Sequence, residues 1–126
     1  MLPADPLLAL VCDDELPIRI LFSILLESMG FRVELAENGL DALSKMSAQP
    51  VRQFAVVVTD NQMPKLDGVG FVKALRASDF QGKIIVISGL LDQRSIAAFQ
   101  ELGVDQILSK MDGVTKLEAI LRGYGK

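Results

Sequence analysis

The sequence contains no histidine and a single cysteine, Cys12. The absence of histidine excludes a Ser–His–Asp triad, most zinc sites and a phosphohistidine carried by this chain. One cysteine cannot form a disulfide within the chain, so we expect a reducing, cytoplasmic location. Cys12 lies in an apolar run, where a small core residue is expected.

Long apolar runs and clusters of basic residues are also missing. No apolar run approaches the roughly 18 residues of a membrane helix, and residues 1–6 lack the basic and apolar regions of a signal peptide. Lys and Arg number 13 against 16 Asp and Glu, which gives a net charge of −3. Because nucleic-acid-binding domains need a basic face, we expect neither nucleic acid nor a membrane as a partner.

Short apolar runs alternate with amphipathic segments along the chain. Its 126 residues have the length of one domain with a single sizeable core. Runs that are cut off by turn or acidic residues predict strands buried on both faces. The predicted strands cover residues 7–12, 32–36, 54–59, 83–88 and 105–109.

Five amphipathic helices are predicted between and after these strands. The first has Pro17 in its first turn and ends at Gly30, whereas Asp92 and Gly103 mark the start and end of the fourth. Regular alternation with short loops indicates an α/β fold with a parallel sheet covered on both faces. The predicted apolar helix positions are Ile18, Leu21, Phe22, Leu25, Leu26 and Met29; Leu40, Leu43 and Met46, after an Asn38-Gly39 turn and before Pro50; Phe71, Val72 and Leu75; Ile96, Phe99 and Leu102; and Val114, Leu117, Ile120 and Leu121.

Polar residues follow four of the predicted strands. Asp13 and Asp14 follow the first strand, Asp60 the third, Ser88 the fourth and Lys110 the fifth. The carboxyl ends of parallel strands share one edge of the sheet, where ligands of such folds bind. Three carboxylates there repel one another unless they are protonated, paired with the lysine or bridged by a cation. An all-oxygen site without histidine or thiolate suits Mg²⁺.

Simpler explanations exist for each residue alone. Asp60 could be a turn residue, and Asp13 and Asp14 could only cap the first helix. A strand-end serine such as Ser88 is uninformative by itself, and a lysine such as Lys110 is often only solvated. The functional interpretation depends on the whole set occurring in order.

The set Asp13-Asp14, Asp60-x-x-Met-Pro-x-x-Asp67-Gly68, Ser88 and Lys110 resembles the receiver domain of two-component response regulators, in particular the single-domain chemotaxis receivers. The resemblance extends from about residue 7 to residue 121, and we expect residues 1–126 to form one receiver domain. It implies a flavodoxin-like (βα)5 three-layer sandwich. The strand order 2-1-3-4-5 is adopted by analogy.

The resemblance also assigns chemical roles. Asp60 accepts a phosphoryl group from a histidine kinase or a histidine phosphotransfer protein, with Mg²⁺ as the cofactor. Asp14 and Asp60 bind Mg²⁺ directly, Asp13 acts largely through water, and Gln62 contributes its backbone carbonyl. The protein is then not an enzyme acting on other molecules, because it catalyses only its own phosphorylation and dephosphorylation.

Two further residues complete the switch that the resemblance implies. Lys110 pairs with the phosphoryl group and with Asp60, and the Ser88 hydroxyl moves to the phosphoryl group together with the loop that follows its strand. These movements change the face formed by the fourth helix, fifth strand and fifth helix. An unknown downstream protein or output domain reads that face.

The sequence departs from the family pattern at two positions. Ile107 stands at a switch position that often holds an aromatic residue, so we hypothesise that the output face changes by a backbone shift. Met111 stands where a cis proline is common, which predicts a less fixed loop into the last helix.

Other functions remain open at this point. A Mg²⁺-dependent phosphohydrolase could also use an aspartyl phosphate, although the adjacent Asp13 and Asp14 differ from the Asp-x-Asp of haloacid-dehalogenase enzymes. A flavodoxin-like cofactor binder would need a phosphate loop after the first strand, and none is visible. A receiver-like protein that acts without phosphorylation would not need the complete acidic set. No output domain is visible in the sequence, which leaves open a stand-alone receiver or part of a longer regulator.

Overall fold

The computed structural model describes residues 7–48 and 54–122, and strands and helices alternate along them. The ends of the predicted domain and Pro50 lie outside these residues. The strands are β1 (Leu8–Cys12), β2 (Arg32–Ala36), β3 (Phe54–Thr59), β4 (Lys83–Ile87) and β5 (Gln106–Leu108). The helices are α1 (Leu16–Ser28), α2 (Gly39–Ser47), α3 (Gly68–Ala77), α4 (Gln93–Glu101) and α5 (Lys110–Leu121).

The strands form one parallel sheet in the order β2-β1-β3-β4-β5. The predicted fold class and the strand order adopted by analogy are therefore confirmed. In the register of the central pair, Cys12 lies opposite Thr59, so β1 and β3 end side by side. The residues that follow these two strands must consequently lie next to each other.

Alternate residues of the central strands enter two separate hydrophobic cores. Leu10 of β1 and Val57 of β3 pack in the core that includes residues of α2, α3 and α4. Their neighbours Val11 and Val58 pack in the core that includes residues of α1 and α5. The sheet is thus covered by two helices on one face and three on the other, which is the predicted three-layer sandwich.

The residues that the sequence predicts to start or end helices do so in the structure. Pro17 lies in the first turn of α1, where its missing N–H removes no helical hydrogen bond. Gly30 and Gly103 follow α1 and α4 with φ of +97° and +70°, a conformation that glycine adopts without steric cost. Asp92 caps α4 by accepting a hydrogen bond from the Ser95 backbone N–H at 2.7 Å.

Three predicted core positions are wrong. Leu21, Leu40 and Val114 are exposed, by 37%, 52% and 41% respectively. In α2 the buried positions include Ala42 and Met46, one helical turn apart, so Leu40 lies outside the face that contacts the sheet. The stripe of apolar residues that the sequence shows is therefore wider than the face of the helix that contacts the core.

The predicted turn at residues 38 and 39 is in fact the start of α2. Asn38 is its N-cap, and its side chain accepts a hydrogen bond from the Asp41 backbone N–H at 2.8 Å. The fourth and fifth strands are also slightly shorter than predicted. None of the helices in the described part of the chain is long and apolar enough to cross a membrane.

Candidate functional site

The ends of β1 and β3 hold two aspartates in fixed positions. The Asp60 backbone N–H donates to the Cys12 carbonyl at 2.9 Å, and the Asp13 N–H donates to the Ala36 carbonyl at 3.1 Å. The sheet ladder therefore extends to both residues. Asp13 and Asp60 are only 3% and 6% exposed, so both carboxylates are buried at the sheet edge.

These two side chains form an acidic cluster with Asp14. One carboxylate oxygen from each of Asp13, Asp14 and Asp60 can be chosen so that all three lie within 4.8 Å of one another. Asp14 is exposed, which leaves the cluster open to solvent on one side. A compact set of carboxylate oxygens, with no nitrogen or sulfur ligand, fits a hard divalent ion such as Mg²⁺.

The Lys110 ammonium group lies among three carboxylates. Its Nζ is 2.8 Å from Glu15 Oε1, 3.3 Å from Asp13 Oδ2 and 3.5 Å from Asp60 Oδ2. Desolvation lowers the pKa of Lys110, but the hydrogen bond to Glu15 and the charges of Asp60 and Asp13 outweigh it, so the pKa is raised overall. The lysine therefore stays charged and offsets part of the repulsion among the carboxylates.

The surroundings of the Asp13 carboxylate change its pKa. Burial, together with the charge of Asp60, raises the pKa of Asp13 to about 6. Lys110 and a 2.8 Å hydrogen bond from the Glu15 backbone N–H act in the opposite direction without cancelling the shift. The carboxylates of Asp13, Asp14, Asp60 and Glu15 outnumber the Lys110 ammonium group that contacts them, and this excess of negative charge favours a bound cation.

The cluster opens into a cavity of about 320 Å³. The Ser88 hydroxyl, at the end of β4, donates to the Leu90 carbonyl at 3.1 Å and is therefore engaged within its own loop. Four of the five predicted strand-end residues, all except Asp13, therefore lie around one opening. Asp13 lies next to it, in contact with Lys110. The lining residues are Asp14, Glu15, Asp60, Gln62, Ser88, Gly89, Leu90 and Lys110.

The loop after Asp60 returns closely against its own start. The Gly68 N–H donates to the Asn61 carbonyl at 2.8 Å, and Asp67 caps α3 through the Gly70 N–H at 2.8 Å. A Cβ atom on Gly68 would lie 2.4 Å from the Asp60 carbonyl oxygen. Glycine at position 68 is therefore needed for this loop to pack behind the aspartate.

The sequence also singles out Ile107, Met111 and Cys12, which lie outside the cavity lining. Ile107 is half-buried and packs against the core beneath α2, α3 and α4. Met111 is 79% exposed in α5, and Ser109 alone separates β5 from α5. Cys12 is buried, and its Sγ lies 3.4 Å from Met63 Sδ. Burial raises the pKa of the Cys12 thiol to about 12, as expected of a core residue.

Sequence reasoning overlooked two polar residues near Asp60. The Glu15 carboxylate lies closer to Lys110 Nζ than those of Asp13 and Asp60 do. In the sequence, nothing distinguishes Glu15 from the two aspartates that precede it. Asn61 is buried directly after Asp60, and its backbone N–H donates to Asp60 Oδ1 at 2.7 Å. The available signal for Asn61 was a second polar residue after a buried strand, directly following Asp60.

Comparisons with known proteins agree with this arrangement. Residues 9–122 match the family model of the response regulator receiver domain. The chain is 29% identical over 121 residues to a Rhizobium etli protein named "Probable chemotaxis protein CheY", with 94% of this chain and 92% of that protein covered. It is 35% identical to the transcriptional regulatory protein CpxR homolog of Haemophilus influenzae, with 90% of this chain but 49% of that protein covered.

Solved structures show the same architecture. A response regulator receiver protein from Pseudomonas putida has a TM-score of 0.84 and 26% identity, with 94% of this chain and 98% of that chain covered. The Vibrio cholerae chemotaxis protein CheY4 has a TM-score of 0.80 and 27% identity, with 92% and 96% covered.

The chain therefore belongs to the response regulator receiver domain family of two-component systems. Receiver domains of this family bind Mg²⁺ at an acidic site and interact with kinases and downstream targets. The cluster of Asp13, Asp14 and Asp60 is consistent with such a site.

Proposed function

We propose that Asp60 accepts a phosphoryl group from the phosphohistidine of a histidine kinase or a histidine phosphotransfer protein. An Asp60 oxygen forms the new P–O bond, and the P–N bond breaks with its electron pair leaving on the imidazole. The observation that carries the proposal is the buried Asp60 carboxylate beside two other carboxylates and Lys110, at the wall of an open cavity. Phosphoryl transfer depends mainly on such positioning and charge neutralisation.

Asp13, Asp14 and Asp60, with the backbone carbonyl of Gln62, would hold the Mg²⁺ ion. The oxygen-only donor set and its excess negative charge support this assignment, and Gln62 lines the same cavity. When bound, the ion supplies positive charge next to the transferred oxygens. The chain's own residues supply the nucleophile and the direction of attack.

Lys110 and Ser88 respond to the new phosphoryl group in this proposal. Lys110 Nζ, which now lies nearest Glu15, moves toward the added phosphoryl oxygens and remains next to Asp60. The Ser88 hydroxyl exchanges its bond to the Leu90 carbonyl for one to the phosphoryl group. The loop between β4 and α4 follows, because Ser88 and Leu90 are both part of it.

The face formed by α4, β5 and α5 would change its affinity for a downstream partner. A switch from 1:99 to 99:1 needs about 5.5 kcal/mol of differential interaction, more than one hydroxyl and one lysine contact supply, so partner binding completes the shift. Because the aliphatic Ile107 offers no aromatic ring to reorient, we expect this face to change by a backbone shift. Backbone amide shifts measured with and without a phosphoryl mimic test this; an unchanged face beside a shifted Asp60 loop contradicts it.

We also propose how far the domain extends along the chain and where the protein is located. Residues 1–126 would form a single receiver domain with a core from about 7 to 121, which the family match over residues 9–122 supports. The single cysteine supports a cytoplasmic location. The protein would catalyse only its own phosphorylation and dephosphorylation and would act on no other substrate.

The first test is the intact mass of the protein after incubation with Mg²⁺ and acetyl phosphate. We expect one added phosphate on the parent chain, none on Asp60→Ala, and release of the group by hydroxylamine, as for an acyl phosphate. Beryllofluoride binding serves as the control for a phosphate that turns over too quickly to accumulate. Absence of both the adduct and beryllofluoride binding would contradict the proposal.

A further inference from the structure

Asn61 connects the proposed phosphoacceptor to helix α4. Its backbone N–H donates to Asp60 Oδ1 at 2.7 Å, and its side-chain Nδ2 donates to Ser95 Oγ at 3.1 Å. Ser95 lies 34 residues further along the chain, in the first turn of α4. One residue thus contacts both the Asp60 carboxylate and a helix of the proposed output face.

The side of the link formed by α4 is also well anchored. The Ser95 backbone N–H donates to the Asp92 carboxylate, and hydrogen bonds from Ser95 hold the pKa of Asp92 below its usual range. Asp92 is the N-cap of α4, so Ser95 belongs to the cap of the helix. We therefore expect a displacement of the Ser95 side chain to move the whole first turn of α4.

The environment of Asn61 makes its present arrangement sensitive to change. Asn61 is 7% exposed, and its Oδ1 is the buried side-chain oxygen that lacks a hydrogen-bond partner among residues 7–48 and 54–122. A buried acceptor without a donor is unfavourable. The present position of the Asn61 side chain therefore carries an energetic cost that a position with a donor for Oδ1 would remove.

Phosphorylation of Asp60 acts on one of two hydrogen bonds that hold the Asn61 backbone; the other, from the Gly68 N–H to the Asn61 carbonyl, is not affected directly. The bond from the Asn61 N–H to Asp60 Oδ1 is charge-assisted while Asp60 is a carboxylate. If the phosphoryl group is attached to Oδ2, Oδ1 becomes a neutral carbonyl oxygen and a weaker acceptor; if it is attached to Oδ1, that acceptor becomes an ester-type oxygen. Either product weakens the bond that the Asn61 N–H donates.

We propose that Asn61 is a positioning residue that orients the Asp60 carboxylate and couples its phosphorylation to the start of α4 through Ser95. The inference rests on the proposed function, since it requires Asp60 to be the phosphoacceptor. It adds a route from Asp60 to α4 that bypasses Ser88 and the loop after β4. In this route, weakening of the Asn61–Asp60 bond releases the Asn61–Ser95 bond and allows the first turn of α4 to move.

The test compares backbone amide spectra with and without Mg²⁺ and beryllofluoride for the parent chain, Asn61→Leu, Ser95→Ala and the double variant. Leucine has nearly the shape of asparagine but neither donates nor accepts. In the parent we expect shifts both in the Asp60 loop and in residues 92–96. In each single variant the Asp60 loop still shifts, whereas the shifts of residues 92–96 fall by about half or more, and the double variant loses no more than either single one.

Ser23→Ala is the matched control, since it removes an exposed hydroxyl that bonds within α1, and it should behave as the parent does. If Asn61→Leu does not fold, the half-buried Ser95→Ala decides the question alone. Full shifts of residues 92–96 in Ser95→Ala overturn the inference, as does a parent in which the Asp60 loop shifts and α4 does not. A parent whose Asp60 loop does not respond overturns the proposed function and this inference with it.

Discussion

At the scale of single residues, the site contains more negative than positive charge. One ammonium group, that of Lys110, lies among the carboxylates of Asp13, Glu15 and Asp60, and Asp14 adds a further negative charge nearby. Burial raises the pKa of Asp13 to about 6. The chain thus places charge where it is unfavourable for folding but useful for holding a cation.

Asp13→Asn is therefore expected to stabilise the metal-free protein at pH 7 by about 2 kcal/mol, because it removes a buried charge without changing the side chain's shape. The asparagine Oδ1 can still accept the hydrogen bond from the Glu15 N–H. Urea unfolding in the presence of EDTA measures the change. Asp112→Asn, an exposed-site control in α5, should shift the free energy of unfolding far less, and equal effects of the two substitutions would contradict the account.

The same substitution should flatten the pH dependence of stability. The Asp13 pKa is raised from 3.8 to about 6 on folding, so its contribution to stability is complete below about pH 4. Between those two values the unfolded chain has lost a proton that the folded chain still binds, and stability falls as the pH rises. Unfolding free energies of metal-free parent and Asp13→Asn, measured from pH 4 to pH 7, should converge at the acidic end. Parallel curves would contradict the raised pKa.

Sequence reasoning predicted the residues of this edge and, through the family resemblance, the pairing of Lys110 with Asp60. It did not predict the contact of Lys110 with Glu15. Strand ends, and the parallel sheet that alternation implies, were sufficient to bring Asp13, Asp60, Ser88 and Lys110 together. The contacts of Asn61 with Ser95 depend on side-chain direction after the strand has ended, and no periodic pattern encodes that direction.

At the scale of elements, the loop from Asp60 to α3 packs against Asp60, the proposed phosphoacceptor. Gly68 begins α3, and its backbone passes so close to Asp60 that the loop has no room for a side chain there. The tight return supports Asp60 from behind while its carboxylate faces the cavity. Loop and helix start are therefore part of the site, although neither supplies a charged ligand.

Gly68→Ala tests this arrangement. The added Cβ would lie 2.4 Å from the Asp60 carbonyl oxygen and 2.8 Å from Asn61 Cα, so the backbone must shift. We expect a loss of stability of about 1–3 kcal/mol and slower phosphorylation by acetyl phosphate. Ser23→Ala, which removes an exposed hydroxyl that bonds within α1 away from the cavity, is the control. Equal phosphorylation rates of the two variants would contradict a positioning role for the loop.

Element boundaries were predicted better than element faces. Caps and stops such as Asp92, Gly30 and Gly103 have local causes that a sequence displays directly. The exposure of Leu40 and Val114 has a tertiary cause, namely which strip of each helix meets the sheet. The periodicity of apolar residues alone is too broad to decide that.

At the scale of the whole molecule, the sheet order brings distant parts of the chain to one edge. Alternation predicted a parallel sheet, but the order β2-β1-β3-β4-β5 came from the family resemblance and not from a physical rule that the sequence displays. The sites at the ends of β1, β3, β4 and β5 are built only when this order is complete. Folding and cation binding should therefore be thermodynamically linked.

Mg²⁺ is expected to raise the melting temperature of the intact protein. At a concentration about tenfold above Kd, linkage gives about 1.4 kcal/mol of stabilisation, or roughly 4 °C for a domain of this size. Asp14→Ala removes an exposed member of the cluster and should abolish most of the increase while leaving the fold intact. A Mg²⁺-dependent increase of the same size in Asp14→Ala would contradict the proposed ion site.

The most direct test of the central claim is to locate the phosphoryl group. Borohydride reduces an aspartyl phosphate to homoserine, which marks the acceptor permanently. After treatment with Mg²⁺, acetyl phosphate and then borohydride, the tryptic peptide of residues 53–65 should carry homoserine at position 60. Homoserine at position 13 or 14, or at none of the three aspartates in a chain that gains phosphate, would contradict the assignment of Asp60.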